Sequence, residues 1–397
     1  MCASVKSLCH LPTEIIHAVA RHAATKELLA LSQTSRRIHA ISLEIIYRHV
    51  ALYDHAQAAK YCTAVASRPE TAKLARKLKM MYLPLTALPA FDTRMKSVVR
   101  KMQNLHVLDI HSRFFFESIS DLTLPRLSTC TLPISLDLGS FLGRNSTVTD
   151  LVILPAVEEP CSEFYTSPIT PVHLPKLQRF VGPDLSACSF IPGSLASNIT
   201  IFCTLNPNVG SSGGLEAIAR SNADIIDFNC LIIWLEQAFL IDVAKYLPGI
   251  RSLQIAKPSE TPAPEDEELF MVSIATLLRS LTCLETMSLL TPIHGPDEIA
   301  DDELEAEFRS VQIWGEIAPR LQTVALPSNT LWTRVRDNIW FPSNRPTAEF
   351  REERHQWLIK KALSSPDLPR EYQTLAEFVG NEAGIATLKA MLDSACS

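Results

Sequence analysis

One pattern of apolar and polar positions recurs along most of the chain: apolar-x-x-apolar-x-apolar, usually just after Pro or Asn. It starts at Leu78, Leu105, Leu127, Val148, Leu177, Ile199, Ala223, Ile250, Leu284 and Leu321, with start-to-start spacings between 21 and 37 residues. Alternation inside each unit predicts a short strand, because side chains in a strand point to opposite faces in turn. Between the units lie stretches with helical periodicity: Arg94–Met102, Leu215–Arg220, Leu235–Tyr246, Leu269–Leu281 and Glu303–Ile317. A strand and a helix every few tens of residues, neither able to bury its apolar face alone, is the physical logic of a solenoid. The predicted fold is therefore α/β, with nine or ten short parallel strands lining one concave face and helices outside. Leu108, Leu151, Phe180, Phe202, Ile226, Leu253, Met287 and Val324 are expected to share one continuous core.

The first fifty residues read differently. Pro12 suits the first turn of a helix, where its missing N–H is not needed. Ile15, Ile16 and Val19 then fall on one face. Thr25 is the expected N-cap of a second helix carrying Leu28, Leu29 and Leu31, and Thr34 or Ser35 that of a third with Ile38, Ile41 and Ile45. Three helices in about forty residues bury too little surface to be robust alone. Part of their apolar surface is expected to meet another element or another protein.

These residues resemble an F-box. Leu11-Pro12-Thr13-Glu14-Ile15-Ile16, Leu28-Leu29-Ala30-Leu31 and Ser35-Arg36-Arg37-Ile38-His39-Ala40-Ile41 stand in that family's order, and Ile46-Tyr47-Arg48-His49-Val50 is similar to the segment that closes the motif in fungal members. Ile38 and Tyr47 occupy the approximate places where the family commonly has Trp. The resemblance implies a Skp-type adaptor as partner, joined to a cullin ligase core, with Leu11, Pro12, Ile15, Ile16, Leu28, Leu29 and Leu31 as the adaptor-binding residues. The later units are similar to the irregular leucine-rich repeats that often follow an F-box, with Asn229-Cys230 nearest to the usual Asn or Cys position. The expected organisation is an F-box over 1–52, a leucine-rich-repeat-like solenoid over 53–335 and a helical C-terminal cap over 336–397. The alternative for the N-terminus is a three-helix cap that merely seals the next core.

The concave row should hold the in-between positions of the strands, including Thr129, Thr131, Thr286 and Ser288. Within it Asp109, His111, Asp150, Arg179, Asp227, Asn229, Ser252 and Gln254 are the expected contacts of an unknown protein substrate. The row is mixed and polar, with no recognisable Ser/His/Asp set, carboxylate pair or metal constellation. No cofactor and no metal are expected, and protein binding suits the surface better than catalysis. A doubly wound α/β enzyme also alternates strand and helix, but GxGxxG and GxxxxGK[ST] are both missing. Gly210-Ser211-Ser212-Gly213-Gly214 could cradle an anion, although a plain loop and N-cap is the simpler reading.

Charge and cysteines narrow the class further. Up to residue 110 there are 16 Lys/Arg against 7 Asp/Glu, and beyond it 21 against 36. The basic residues stand singly among apolar ones, which fits a solvated face and no nucleic acid. None of the ten cysteines is in CxxC or zinc-finger spacing, so they read as small core residues in a reducing compartment, cytoplasmic and/or nuclear. The most apolar stretch, 230–247, carries Glu236, Asp242 and Lys245, and no membrane segment is expected. The segments 155–175, Pro-rich and holding Ser167-Pro168 and Thr170-Pro171, and 257–268, acidic, read as insertions in the repeat. Besides a ligase receptor, two readings stay open: a non-ubiquitin leucine-rich-repeat scaffold, and an enzyme whose site escapes motifs.

Overall fold

The computed structural model describes residues 11–81, 89–155, 170–202, 212–231, 237–256, 273–290, 301–326, 330–336, 339–343 and 357. The chain forms two compact units, one of residues 1–196 with 220–223 and one of 197–219 with 224–397.

The first unit opens with helices α1 (Thr13–His22), α2 (Thr25–Ser32) and α3 (Arg36–Arg48). Ser35 caps α3, its hydroxyl accepting from Ile38 N–H at 3.2 Å. The expected cap of α2 is displaced by one residue. Thr25 is already helical, Ala24 holds the N-cap place, and Glu27 reaches back to accept from Ala24 N–H at 2.7 Å. A carboxylate three residues in thus does the capping that a hydroxyl was expected to do. Helix α3 runs directly into strand β1 (His49–Leu52), which pairs in parallel with β2 (Lys77–Met80). Strands β3 (Val107–Ile110), β4 (Thr129–Pro133), β5 (Asp150–Leu154) and β6 (Arg179–Pro183) continue the parallel ladder. Parallel neighbours need crossovers. Those include α4 (His55–Ser67), α5 (Pro89–Lys101), α6 (Arg113–Ile119) and α7 (Leu138–Arg144), while α8 (Asp184–Phe190) follows β6.

The register stacks the core. Val50, Leu78, Leu108, Cys130, Leu151 and Phe180 stand opposite one another strand after strand, all buried. Gly182 lies beside this column because a Cβ there would come within 3.0 Å of the Phe180 ring and 3.1 Å of Ile153.

In the second unit β7 (Asn198–Phe202), β8 (Asp227–Leu231), β9 (Ser252–Ala256), β10 (Thr286–Leu290) and β11 (Thr323–Ala325) are likewise parallel, and Ile199, Phe228, Leu253, Met287 and Val324 form its column. Helices α9 (Ser212–Ile218), α10 (Gln237–Tyr246), α11 (residues 273–280) and α12 (Asp301–Ile317) alternate with the strands.

A second signature repeats where strands begin. One carbonyl accepts from two consecutive N–H groups of the next unit: Arg76 from His106 and Val107, His106 from Ser128 and Thr129, Ser128 from Thr149 and Asp150, and Thr149 from Gln178 and Arg179. In the second unit Ser197, Ile226, Arg251 and Glu285 do the same for the units that follow them. Identical backbone bonding at successive strand entrances is what a stacked repeat requires.

Two expectations need correction. The first repeat is framed Ala75–Leu78–Met80, not Leu78–Met81–Leu83, and the units at 199 and 223 are framed Ala196–Ile199–Ile201 and Ile225–Phe228–Cys230. Consequently Phe202 is only half-buried and Ile226 is 41% exposed, whereas Ile225 is buried. The cause is that small residues, Ala75 and Ala196, hold the first inward place of two repeats, while large apolar residues stand on the open face. Asn229-Cys230 lies inside β8, with Cys230 in the core, and so cannot be the position after the strand.

Beyond the parallel ladder, strand β12 (Leu331–Arg336), which includes position 335, pairs antiparallel with β11 and with β13 (Ile339–Ser343). Trp332 and Trp340 are fully buried, and Phe308 of α12 lies 5.7 Å from the rings of both Trp332 and Trp357. The Trp332 indole N–H donates to the buried Glu307 carboxylate at 2.9 Å. The remaining amphipathic segments of 358–397 and the acidic insertion at 257–268 lie outside the described residues, as do 156–169 of the Pro-rich one.

Candidate functional site

The N-terminal helices divide their aliphatic residues in two. Ile16, Ala20, Leu28, Ile38 and Ile41 make a small core, with Leu11, Leu31, Ile45 and Ile46 partly buried against it. Polar ties fix the helices around it: Arg37 donates to the Thr13 hydroxyl at 2.6 Å, and His17 stands 3.4 Å from Glu44. Outside the core, Ile15 is 47% exposed, Val19 50% and Leu29 51%, and Pro12 is exposed too. Of the seven residues singled out in the sequence, the structure therefore places Ile16 and Leu28 inside, Leu11 and Leu31 half-buried, and Pro12, Ile15 and Leu29 at the surface. Val19 was missed as a surface residue, although its i+4 spacing from Ile15 puts both on one strip of α1.

The strand face opposite the core carries the second group. In the first unit the register aligns Thr129, Asp150 and Arg179 in one row, and Lys79, Asp109 and Thr131 in the next. Asp109 is the hub: one oxygen meets His111 Nε2 at 3.0 Å and the other lies 3.4 Å from Lys79 Nζ. Lys79 was missed because its strand was framed three residues late. In the second unit Asp227 stands beside Ser252, and Asn229 beside Gln254, as two adjacent strands. The structure therefore brings Asp109 with His111, Asp150 with Arg179, and the quartet Asp227, Asn229, Ser252 and Gln254 together. The quartet belongs to two longer polar rows: Asn198, Asp227, Ser252, Thr286 and Thr323, then Thr200, Asn229, Gln254 and Ser288. A third row on the same strands is apolar, with Phe202, Leu231, Ala256 and Leu290 in register and Leu231 37% exposed.

The thiols fit a packing role. Burial pushes the Cys130 thiol far up, and burial likewise raises Cys62 and Cys188. A raised thiol is a poor nucleophile at neutral pH. Among the described residues no group of three or more His, Cys, Asp or Glu is placed to hold a metal ion, and no helix is long and apolar enough to cross a membrane. Gly213 and Gly214 fall in the first turn of α9.

Geometry and pattern now meet at the N-terminus: three helices, a small core and exposed aliphatic residues on α1 and α2. Residues 8–53 match the F-box-like family. The F-box-like segment so defined includes all of α1 to α3 and continues through β1, so its last strand is also the first strand of the sheet. No curated protein matches the chain.

Proposed function

We propose that this chain is a substrate-receptor subunit of a Skp–cullin–F-box type ubiquitin ligase, without catalysis of its own. The F-box-like segment would dock on a Skp-type adaptor. A leucine-rich-repeat-like solenoid would hold a protein substrate. The observation that carries the reading is the match over 8–53 together with Pro12, Ile15, Val19 and Leu29 standing exposed on helices whose own core is already complete. Ile15 and Val19, one turn apart on α1, and Leu29 on α2 are exposed aliphatics on a preformed scaffold, and such surface marks an interaction site. Ile16 and Leu28 then act as internal supports that hold the strip in shape, and the direct contacts fall to their exposed neighbours.

The sheet face supports the substrate half of the reading. Polar side chains at strand spacing on a rigid parallel ladder suit recognition of a protein surface, and the loops are the other candidate region. The test is co-purification of the full chain with a Skp-type adaptor, compared with a variant carrying Ile15→Asp and Leu29→Asp. Capture by the wild type and loss in the variant supports the reading. Absence of capture by a folded wild-type chain refutes it. One observation favours the scaffold reading, in which the helices only seal the sheet: α3 passes into β1 without a linker. Adaptor capture separates the two.

A further inference from the structure

The polar rows of the second unit differ in kind from those of the first, and the difference says what they can bind. The first unit's face holds Lys79, Asp109, Asp150 and Arg179. Along the two polar rows of the second unit Asp227 is the one charged residue; the rest are hydroxyls and amides. The cation nearest in sequence, Arg251, stands outside both rows, one residue before β9. An anionic ligand would therefore meet Asp227 and no cation within these rows.

Two polar atoms in the rows have no partner. Asn198 Oδ1 and Ser288 Oγ are buried and make no hydrogen bond, and Ser288 is 8% exposed. Their neighbours are already engaged with one another: Asn229 Nδ2 donates to Thr200 Oγ1 at 3.3 Å, and Thr323 Oγ1 donates to Thr286 Oγ1 at 3.0 Å. A buried polar atom left unpaired costs about 1–3 kcal/mol. Neither atom is within reach of solvent, so a ligand meets instead the half-buried hydroxyls and amides of Thr200, Asn229, Ser252 and Gln254. Peptide groups and Asn, Gln, Ser or Thr side chains bond to such groups without desolvating a charge. Alongside run Phe202, Leu231, Ala256 and Leu290, an apolar row in register with the polar ones.

We infer that the face of β7 to β10 receives an uncharged, amphipathic polypeptide segment of the substrate, its apolar side chains on the Phe202–Leu290 row and its peptide and amide groups on the polar rows. This rests on the receptor reading above and narrows the substrate class. The segment is not an acidic or phosphorylated one.

The test is a selection of random 15-residue peptides displayed against the full-length chain. Selected peptides are then measured by fluorescence anisotropy. Peptides with few charges and several large apolar residues are expected to dominate. Adding a phosphate to a central Ser or Thr of such a peptide should weaken binding by about tenfold or more, equivalent to roughly 1.4 kcal/mol. Leu231→Asp should do the same from the protein side. In case that variant folds poorly, Gln254→Glu keeps side-chain volume and adds a charge; it too should lose about tenfold. A pool dominated by Asp, Glu, Lys or Arg overturns the inference. So does a pool whose binding survives both variants, or a selection that enriches nothing. Peptides lost instead on Asp109→Ala with Arg179→Ala would sink this site while leaving a substrate-binding sheet face in place. Failure of adaptor capture would sink the ligase reading without touching the peptide result.

Discussion

Truncating the exposed strip of α1 and α2 separates docking from folding. Ile15 and Leu29 keep 47% and 51% of their surface in water. Burying a whole Ile or Leu is worth roughly 1.5–3 kcal/mol, so covering the remaining half gives about 0.7–1.5 kcal/mol for each. Ile15→Ala with Leu29→Ala should therefore weaken adaptor binding by about 1.5–3 kcal/mol, or roughly 10- to 150-fold in Kd. The same double variant should leave the melting temperature almost unchanged, because neither residue belongs to the helical core. Ile16→Ala and Leu28→Ala invert the pattern. Both residues are 4% exposed and touch that core, so each should lose about 2–5 kcal/mol of stability. Isothermal titration calorimetry with a purified Skp-type adaptor reads the first effect, and circular dichroism melts read the second. Binding by the Ile15/Leu29 variant within about twofold of wild type, a difference of only ~0.4 kcal/mol, would refute the assignment of the strip as the docking surface.

Three further outcomes follow from single observations. Asn145 is 2% exposed, accepts from Leu124 N–H at 2.6 Å and donates to the Leu122 and Phe141 carbonyls at 3.1 and 2.8 Å; Asn145→Ala strands the Leu124 donor and should cost about 2–4 kcal/mol in a denaturant titration, above the 1–3 of one unsatisfied group because two further bonds go with it. Iodoacetamide should label Cys62 and Cys130 only when the chain is unfolded; fast labelling of the native chain at neutral pH, followed by mass spectrometry, would contradict their burial. The hydrogen bond donated by Lys96, 2.9 Å from Asp121, holds that carboxyl below its ordinary range. A depressed carboxylate pKa contributes stability above the unfolded value, near ~3.9, and loses it as pH falls. Asp121→Asn should therefore lower the melting temperature slightly at neutral pH and not at all in strong acid, the effect staying small because the pair is exposed.

Local chemistry alone determined a good deal here. The three N-terminal helices could be read because each combines an aliphatic stripe with a start signal, and Ser35 does cap α3. The strands at Leu108, Leu151, Leu253, Met287 and Val324 could be read because large apolar residues fill both inward places, with a polar residue between them at Asp109, Gln254 and Ser288. That pattern fixes orientation wherever the two faces differ in chemistry. It failed where a large apolar residue stands next to an inward place. Phe202 follows Ile201 at the end of β7 and Ile226 follows Ile225 just before β8, and only packing against the neighbouring strands selects which of each pair goes inward. At β2 the small Ala75 holds an inward place that a hydrophobicity pattern assigns to a larger residue. Helices α6, α7 and α8 span seven residues each, so two turns hold the whole of any periodicity. Adjacency, finally, is a property of register alone. No spacing along the chain says that Lys79 will face Asp109 across a crossover, that Asn198 will be left unpaired beside Asp227, or that Phe202 and Leu290 will share a row, because those relations exist only once the ladder has formed.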